Sequence, residues 1–337
     1  MVINLFLPQR KTINYLCILF FKSMISRRNI RVKVMQALYT LETSFPADGT
    51  LSSNTIIQKG LKILNEKIEN SSDLFTLMLA YLTKIAQYAE VDARNRSAKY
   101  LPTDADKKVS IKIAGNTFVW ELLENETFKE KIKESKLDQY IDQSWIKKLY
   151  QQLETSEEYQ KYILEESRDS TEEKNIIKYL WYKIILNNEN FIEFISDEWS
   201  TWEDDSDMLF MLFENLFKNP KNINFLRFIS AEKKEFAVTL LETVLEKEDY
   251  LLGLIQPKFK NWDSERIAII DLTLLKMGVC ELLYFPTIPT KVTINENIEI
   301  AKQYSTEQSG QFVNGVLDNI LKELTKEGTI RKIERKK

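Results

Sequence analysis

The stretch Lys291-Val-Thr-Ile-Asn-Glu-Asn-Ile-Glu-Ile-Ala-Lys302 is followed closely by Ser309-Gly-Gln-Phe-Val-Asn-Gly-Val-Leu-Asp318. Apolar residues recur in both at the three- and four-residue spacing of an amphipathic helix. Thr293 and Glu296 match a capping box, in which each side chain pairs with a backbone donor of the first turn. The pattern therefore predicts two short helices, the first beginning near Ile294.

The second of these helices contains a glycine within its apolar period. Ser305 and Gln308 repeat the capping-box spacing before it, and Gly315 lies among the residues expected to be buried, Val313, Leu317, Ile320, Leu321 and Leu324. A glycine in a helix interior costs about 1 kcal/mol relative to alanine. Two interpretations stay open: close packing against another helix, or approach of another molecule to the backbone beside Phe312 and Asn314.

The composition of the 337-residue chain favours long helices around a hydrophobic core. Hydrophobic residues make up 44% of the chain and charged residues 29%, which is typical of a globular protein of about two domains. Only 8 Gly and 7 Pro are available for turns, so many short strands are disfavoured. We therefore expect an all-α protein.

Several kinds of chemistry are excluded by residues that the chain lacks. It contains no histidine, which removes Ser-His-Asp and Cys-His catalysis and His-ligated zinc. Cys17 and Cys280 form neither a CxxC pair nor a disulfide framework, as is typical of a reducing, cytoplasmic compartment. No GxGxxG, GxxxxGK[ST], GxSxG or HExxH motif occurs, and no apolar stretch approaches the roughly 20 residues of a membrane-spanning helix. We expect a non-catalytic protein with no cofactor, metal or membrane partner.

Positive charge is concentrated at the two ends of the chain, although the formal net charge is -3. Residues 1–41 contain seven Lys or Arg and no acid, and residues 322–337 contain seven against three acids. Such ends usually contact polyanions, but basic termini are also commonly solvated tails. Because Met24 directly precedes the first amphipathic period, residues 1–23 are interpreted as a possible non-native N-terminal extension.

The first helix is predicted from about Arg28 to Glu42, with Ser26 as its N-cap. Its expected buried stripe is Ile30, Val34, Ala37, Leu38 and Leu41. The cations Arg27, Arg28, Arg31 and Lys33 crowd its N-terminus, where the helix dipole favours anions. Cations and free backbone N–H groups in one place would suit a phosphate backbone.

A long middle region reads as a succession of helices from Asn54 to about Trp199. Asn70-Ser-Ser-Asp73 predicts a break there, and the alternation of Val109, Ile111 and Ile113 allows a short strand. Residues 46–200 contain 27 acidic and 21 basic side chains, so the region as a whole is a poor primary RNA surface.

The chain resembles the NusB family of transcription antitermination factors in motifs that occur in the family's order. These are Ser26-Arg-Arg-Asn-Ile-Arg-Val-Lys-Val-Met-Gln-Ala-Leu-Tyr39, Asp271 with the Leu274 to Leu283 helix, Ile288-Pro-Thr-Lys-Val-Thr-Ile-Asn-Glu296, Ala301-Lys302 and Phe312-Val-Asn-Gly-Val-Leu-Asp318. The resemblance covers Met24 to Glu42 and roughly Asp205 to Glu323. It implies an all-α fold of two small helical bundles packed together, with an additional inserted helical region.

The resemblance also implies a division of the chain. Residues 24–45 would be the first helix of the N-terminal NusB-like bundle, residues 46–200 a helical insertion, and residues 201–262 the rest of that bundle. Residues 263–327 would form the C-terminal NusB-like bundle and residues 328–337 a basic tail.

Family members bind the boxA element of nascent RNA together with NusE, a small-subunit ribosomal protein, and act on the transcription elongation complex, notably at ribosomal RNA operons. By position the resemblance implies RNA contacts for Arg27, Arg28, Arg31, Lys33, Lys302, Gln308, Ser309, Gln311, Phe312, Asn314 and Gly315. Phe312 would stack on a base. Tyr39 and Asp271 match positions that face NusE.

Two other functions stay open beside this one. NusB-like RNA-recruiting domains also occur in ribosomal RNA cytosine methyltransferases, but such a protein needs a cofactor-binding α/β domain with a nucleophilic cysteine after this module. The chain could also be a helical protein-interaction scaffold in which the insertion acts and RNA binding is vestigial.

Overall fold

The structure is a computed structural model and describes residues 25–44, 52–218, 223–259 and 267–333. The predicted extension of residues 1–23 lies outside these ranges, as do the last four residues of the basic tail. No helix in the described ranges is both long and apolar enough to cross a lipid bilayer.

The described residues form fifteen α-helices and no β-strand, which confirms the all-α prediction. In chain order they are α1 (Arg27–Ser44), α2 (Ser53–Ser97), α3 (Asp104–Lys107), α4 (Thr117–Leu123), α5 (Glu126–Glu134), α6 (Gln143–Glu154), α7 (Glu157–Leu164), α8 (Ser170–Tyr179), α9 (Glu189–Glu198), α10 (Trp202–Lys218), α11 (Ala231–Glu246), α12 (Glu248–Ile255), α13 (Ile269–Tyr284), α14 (Thr290–Tyr304) and α15 (Ser309–Lys326). Short 3-10 turns lie at Lys112–Gly115, Leu137–Tyr140 and Gln256–Phe259, and a π-helical turn at Leu180–Ile185 follows α8.

The chain divides into two compact units. The middle unit contains Asn70–Ser230, and the terminal unit contains Ile25–Glu69 together with Ala231–Lys337. The long helix α2 contributes its first part to the terminal unit and the rest to the middle unit. These boundaries differ from those of the predicted insertion at residues 46–200, and α10 belongs to the middle unit.

The terminal unit is organised around α13. This helix is apolar on nearly all sides, as expected of a buried helix, and it contacts α1, α11, α12, α14 and α15. The predicted stripe of α1 is buried in full, at Ile30, Val34, Ala37, Leu38 and Leu41. Helices α14 and α15 pack against each other and against α13, close enough that a Cβ on Gly278 would lie 2.9 Å from both δ-methyl groups of Leu317. Cys280 lies in this core, where burial raises the pKa of its thiol.

The middle unit has an aromatic core built on the second part of α2. Helix α2 is buried all round from Leu74 to Leu82, and Trp181 stacks on Phe213 with ring centroids 4.3 Å apart. The break predicted at residues 70–73 is wrong, because α2 runs through it. Its polar residues make buried contacts instead: the Ser71 hydroxyl donates to Asp205 at 2.7 Å.

Two other local predictions are wrong. Residues 109–111 of the possible strand form a loop, and Ile113 lies in the 3-10 turn Lys112–Gly115. Thr293 does not cap a helix, since α14 already begins at Thr290 with Pro289 before it. Thr293 therefore lies inside the first turn, where its hydroxyl bonds to Glu281 on α13.

Candidate nucleic-acid interface

The N-terminus of α1 is fixed by a cap and by an ion pair to α14. The backbone N–H of Asn29 donates to the Ser26 hydroxyl at 3.1 Å, which confirms Ser26 as the N-cap. The Arg28 guanidinium donates to both carboxylate oxygens of Glu296, at 2.8 and 3.0 Å. This bidentate geometry is the strong form of an arginine–carboxylate contact, and it raises the pKa of Arg28.

The charges on α14 continue beyond this pair in alternating sign. Glu299 lies one turn after Glu296, and its carboxylate accepts a hydrogen bond from the Lys302 ammonium at 2.8 Å. That bond, with the positive charge of Lys302 and of Arg28, lowers the pKa of Glu299. Two predicted RNA-binding cations, Arg28 and Lys302, are therefore linked through the two glutamates.

Arg27 pairs with α11 rather than with α14. Its guanidinium contacts the Glu232 carboxylate at 2.5 Å and lies 5.6 Å from the centre of the Phe236 ring. The guanidinium of Arg31, one turn later, lies 5.3 Å from the centre of the same ring. The aromatic ring thus holds two arginines of α1 by cation–π contacts.

Arg31 and Lys33, also predicted to bind RNA, lie in the interior of the terminal unit. Both residues are only 1% exposed. The Arg31 guanidinium donates to both oxygens of Glu281 on α13, at 2.6 and 2.8 Å, and the Thr293 hydroxyl donates to the same carboxylate at 3.2 Å. In this conformation Arg31 joins α1 to α13, and its contact with RNA stays a prediction.

Helix α15 presents a polar face beside Lys302. A Cβ on Gly310 would lie 2.9 Å from Cγ of Lys302, so the aliphatic part of the lysine packs directly over this glycine. Gln311, Asn314 and Gly315 are exposed, and a Cβ on Gly315 would meet no atom within 4 Å. Close helix packing therefore does not explain Gly315, whereas it does explain Gly310.

Two other predicted RNA-binding residues of α15 are buried. Phe312 is 5% exposed, and its ring centroid lies 5.9 Å from that of Phe259. Ser309 donates its hydroxyl to Asp271 at 2.7 Å. Gln308, which directly precedes the helix, is exposed. The predicted stacking of a base on Phe312 would need the ring to become accessible, and it stays a prediction.

The two residues predicted to face NusE differ in accessibility. Tyr39, near the C-terminal end of α1, is 39% exposed, whereas Asp271, in the first turn of α13, is 6% exposed. The Asp271 oxygen Oδ2 accepts from Ser309, while Oδ1 is buried without a hydrogen-bond partner among the described residues.

The exposed predicted side chains on α1, α14 and α15 are those of Arg28, Lys302, Gln311 and Asn314, here called the polar surface. Sequence reasoning missed its acidic members, Glu296 and Glu299. Their signal was the i, i+3, i+6 spacing of Glu296, Glu299 and Lys302, which places one charge per turn along α14. Within the described ranges no cluster of His, Cys, Asp or Glu could hold a metal ion.

Comparison with known proteins identifies one family. The sequence model of the NusB family matches residues 203–322, from the first turn of α10 to the C-terminal half of α15. The transcription antitermination protein NusB of Methylacidiphilum infernorum is 42% identical over 95 residues, which are 28% of this chain and 66% of that protein. The NusB of Salinibacter ruber is 44% identical over 102 residues, 30% of this chain and 64% of that protein.

The chain thus spans slightly less than two thirds of the length of these curated relatives. A solved structure of T. maritima NusB is 34% identical, with 36% of this chain and 80% of that chain covered and a TM-score of 0.28. Helix α1 lies outside the match to the family model, but it packs on α11 and α13 within the terminal unit. Residues 203–322 match the NusB family model, so the similarity to the NusB family lies in this part of the chain.

Proposed function

We propose that the protein is a non-catalytic transcription antitermination factor that binds boxA-type single-stranded RNA together with NusE and promotes ribosomal RNA transcription. The observation that carries this proposal is the identity of 42–44% to proteins named transcription antitermination protein NusB. The family model matches residues 203–322, a range that includes α14 and most of α15. The polar surface supports it, since its members are exposed and have donors suited to phosphates and base edges.

RNA binding at this surface is an exchange of partners rather than an approach to free cations. Arg28 is held by Glu296, Arg27 by Glu232 and Lys302 by Glu299. These pairs are at least partly exposed, so each contributes only about 0–1 kcal/mol, and a phosphate can displace the carboxylate. Arg31 has a different task, because its buried pair with Glu281 fixes α1 against α13.

NusE would contact the terminal unit at the accessible Tyr39. Asp271 would act from beneath the surface, because its Oδ2 holds Ser309 at the start of α15. We further propose that the part of the middle unit before α10 is an addition to the NusB core whose contacts lie outside boxA recognition, because the family model matches the chain only from residue 203 onward.

The test is fluorescence anisotropy of a labelled boxA oligonucleotide and a scrambled strand of the same composition, with and without NusE. We expect a preference for boxA that increases with NusE, and affinity that falls steeply as salt rises. Arg28→Ala should weaken RNA binding, whereas Tyr39→Ala should weaken the effect of NusE alone. Equal binding to both strands, unchanged by NusE, would instead support a protein-interaction scaffold.

A further inference from the structure

One short segment of the middle unit differs from the rest of that unit in charge. Residues 70–230 contain 21 basic and 29 acidic side chains, yet residues 94–112 contain six basic and two acidic ones. This segment comprises the end of α2, the loop that follows it, α3 and the residues up to Lys112. Here it is called the basic loop.

The basic loop is folded by its own polar residues. Thr103 and Asp106 form a capping box at the start of α3, and the Lys99 ammonium donates to Asp106 at 2.6 Å. The bond from Lys99, with those from Thr103, lowers the pKa of Asp106. Because the pair closes residues 99–106 into a compact turn, Lys107 and Lys108 return to the neighbourhood of Lys99.

Three cations of the basic loop remain for another molecule. Arg94 is exposed, and among the described residues its Nε donates to the backbone carbonyl of Glu90 alone, at 3.3 Å. Lys107 and Lys108 are exposed and form no ion pair in the part of the chain that the structure describes. By contrast, Arg96 is neutralised by Asp92 and Glu154, at 2.7 and 2.5 Å.

The same segment also exposes a large aromatic side chain. Tyr100 is 97% exposed and the adjacent Leu101 is 82% exposed. A buried tyrosine removes about 150–250 Å² from water, so leaving the ring in solvent forgoes that stabilisation. Both faces of the ring are open at a position directly after Lys99.

We propose that the basic loop is a second contact for single-stranded RNA, in which Tyr100 stacks on a base while Arg94, Lys107 and Lys108 neutralise phosphates. Alternating aromatic and cationic groups match a single strand, where bases and phosphates alternate along the chain. Stacking is tolerant of sequence because every base has a π-face. The contact would therefore hold RNA outside boxA.

The carboxylates of an acidic polypeptide could neutralise the three cations. They would not stack on the two open faces of the Tyr100 ring, as a base can. The choice of RNA also rests on the proposed function, which supplies a single-stranded transcript to the protein. The experiment must therefore separate this loop from the boxA site.

The test uses the full chain and an oligouridine strand without boxA, labelled with fluorescein for anisotropy and carrying 4-thiouridine for cross-linking. Trypsin cleaves after Lys99 and Lys107, so RNA stacked on Tyr100 should yield a cross-linked peptide of residues 100–107.

Tyr100→Ala should weaken binding about fivefold or more, from a stacking contribution of about 1 kcal/mol or more per base. Lys107→Glu with Lys108→Glu should reduce the salt slope by about 1.4, at about 0.7 per phosphate.

The matched control is Lys147→Glu with Lys148→Glu, a second exposed lysine pair of the same unit that gives the same change in net charge. We expect it to weaken oligouridine binding less than the Lys107 and Lys108 pair. The proposal is overturned if residues 100–107 are not cross-linked, if Tyr100→Ala binds as the parent does, if the control loses as much, or if polyglutamate binds more tightly than RNA. If Arg28→Ala loses the preference for boxA but still cross-links normally at residues 100–107, the boxA site and the basic loop are separate sites.

Discussion

Glu296→Gln is expected to tighten RNA binding, although the residue belongs to the interface itself. In the structure Arg28 donates to the Glu296 carboxylate through Nε and Nη2, at 2.8 and 3.0 Å. A phosphate would use the same two donors. RNA must displace Glu296 before Arg28 can bind a phosphate. Glutamine keeps the size of the side chain but removes its negative charge, so the displacement costs less.

The size of the effect follows from the exposure of the pair. The side chains of Arg28 and Glu296 are 49% and 21% exposed, and exposed pairs of this kind contribute about 0.2–1 kcal/mol. Removing the competitor should therefore strengthen affinity by up to about fivefold. The gain should vanish in the background of Arg28→Ala, because no guanidinium is left to release.

The assay is anisotropy of boxA RNA for the four members of this double-mutant cycle, at one salt concentration. Glu327→Gln serves as control, since it removes the same charge at the end of α15. It lies sixteen residues after Gln311, about 24 Å along the helix, beyond the screening length of about 8 Å at physiological ionic strength. Unchanged or weaker binding by Glu296→Gln, or an equal gain in the control, would refute the exchange of partners.

Three substitutions test the packing around this interface by urea denaturation. Glu281→Gln leaves the buried Arg31 guanidinium without its charge partner and should lower the free energy of unfolding by about 3–5 kcal/mol; a loss below 1 kcal/mol would contradict the buried pair. Gly278→Ala places a Cβ 2.9 Å from Leu317 and should cost about 1–3 kcal/mol. Gly315→Ala meets no atom and should stabilise α15 by up to about 1 kcal/mol, while weakening RNA binding if RNA approaches the backbone there.

The helices of the terminal unit could be predicted from the sequence because their signals are local. The 3.6-residue period of Ile30, Val34 and Leu38 identified the buried stripe of α1, and Ser26 was correctly identified as its cap. The start of α14 was misplaced because Thr293 and Glu296 have capping-box spacing by coincidence. Their partners are Glu281 and Arg28, which the local pattern could not reveal.

Burial of charged residues could not be predicted, because it depends on residues far away in the sequence. Arg31 and Glu281 are 250 residues apart, and each alone resembles a solvated charge. The same limit applies to residues 70–73, whose polar character suggested a break in the helix. Ser71 is instead bonded to Asp205, 134 residues later, so α2 continues through a segment that looks like a turn.

The cations at the start of α1 break a local rule, since a helix N-terminus disfavours positive charge. Taken alone, that violation suggested a bound polyanion. The structure supplies another compensation, because Glu232, Glu281 and Glu296 bring three carboxylates to Arg27, Arg31 and Arg28. The violation is therefore not in itself evidence for RNA.

What distinguishes the arginines is solvent access. The pair of Arg31 is buried and cannot be exchanged without exposing a core charge, whereas the pair of Arg28 is open to a competing phosphate. The pair of Arg28 can therefore serve both as a contact within the fold and as a ligand for RNA, whereas RNA contact by Arg31 would first require its buried pair to open.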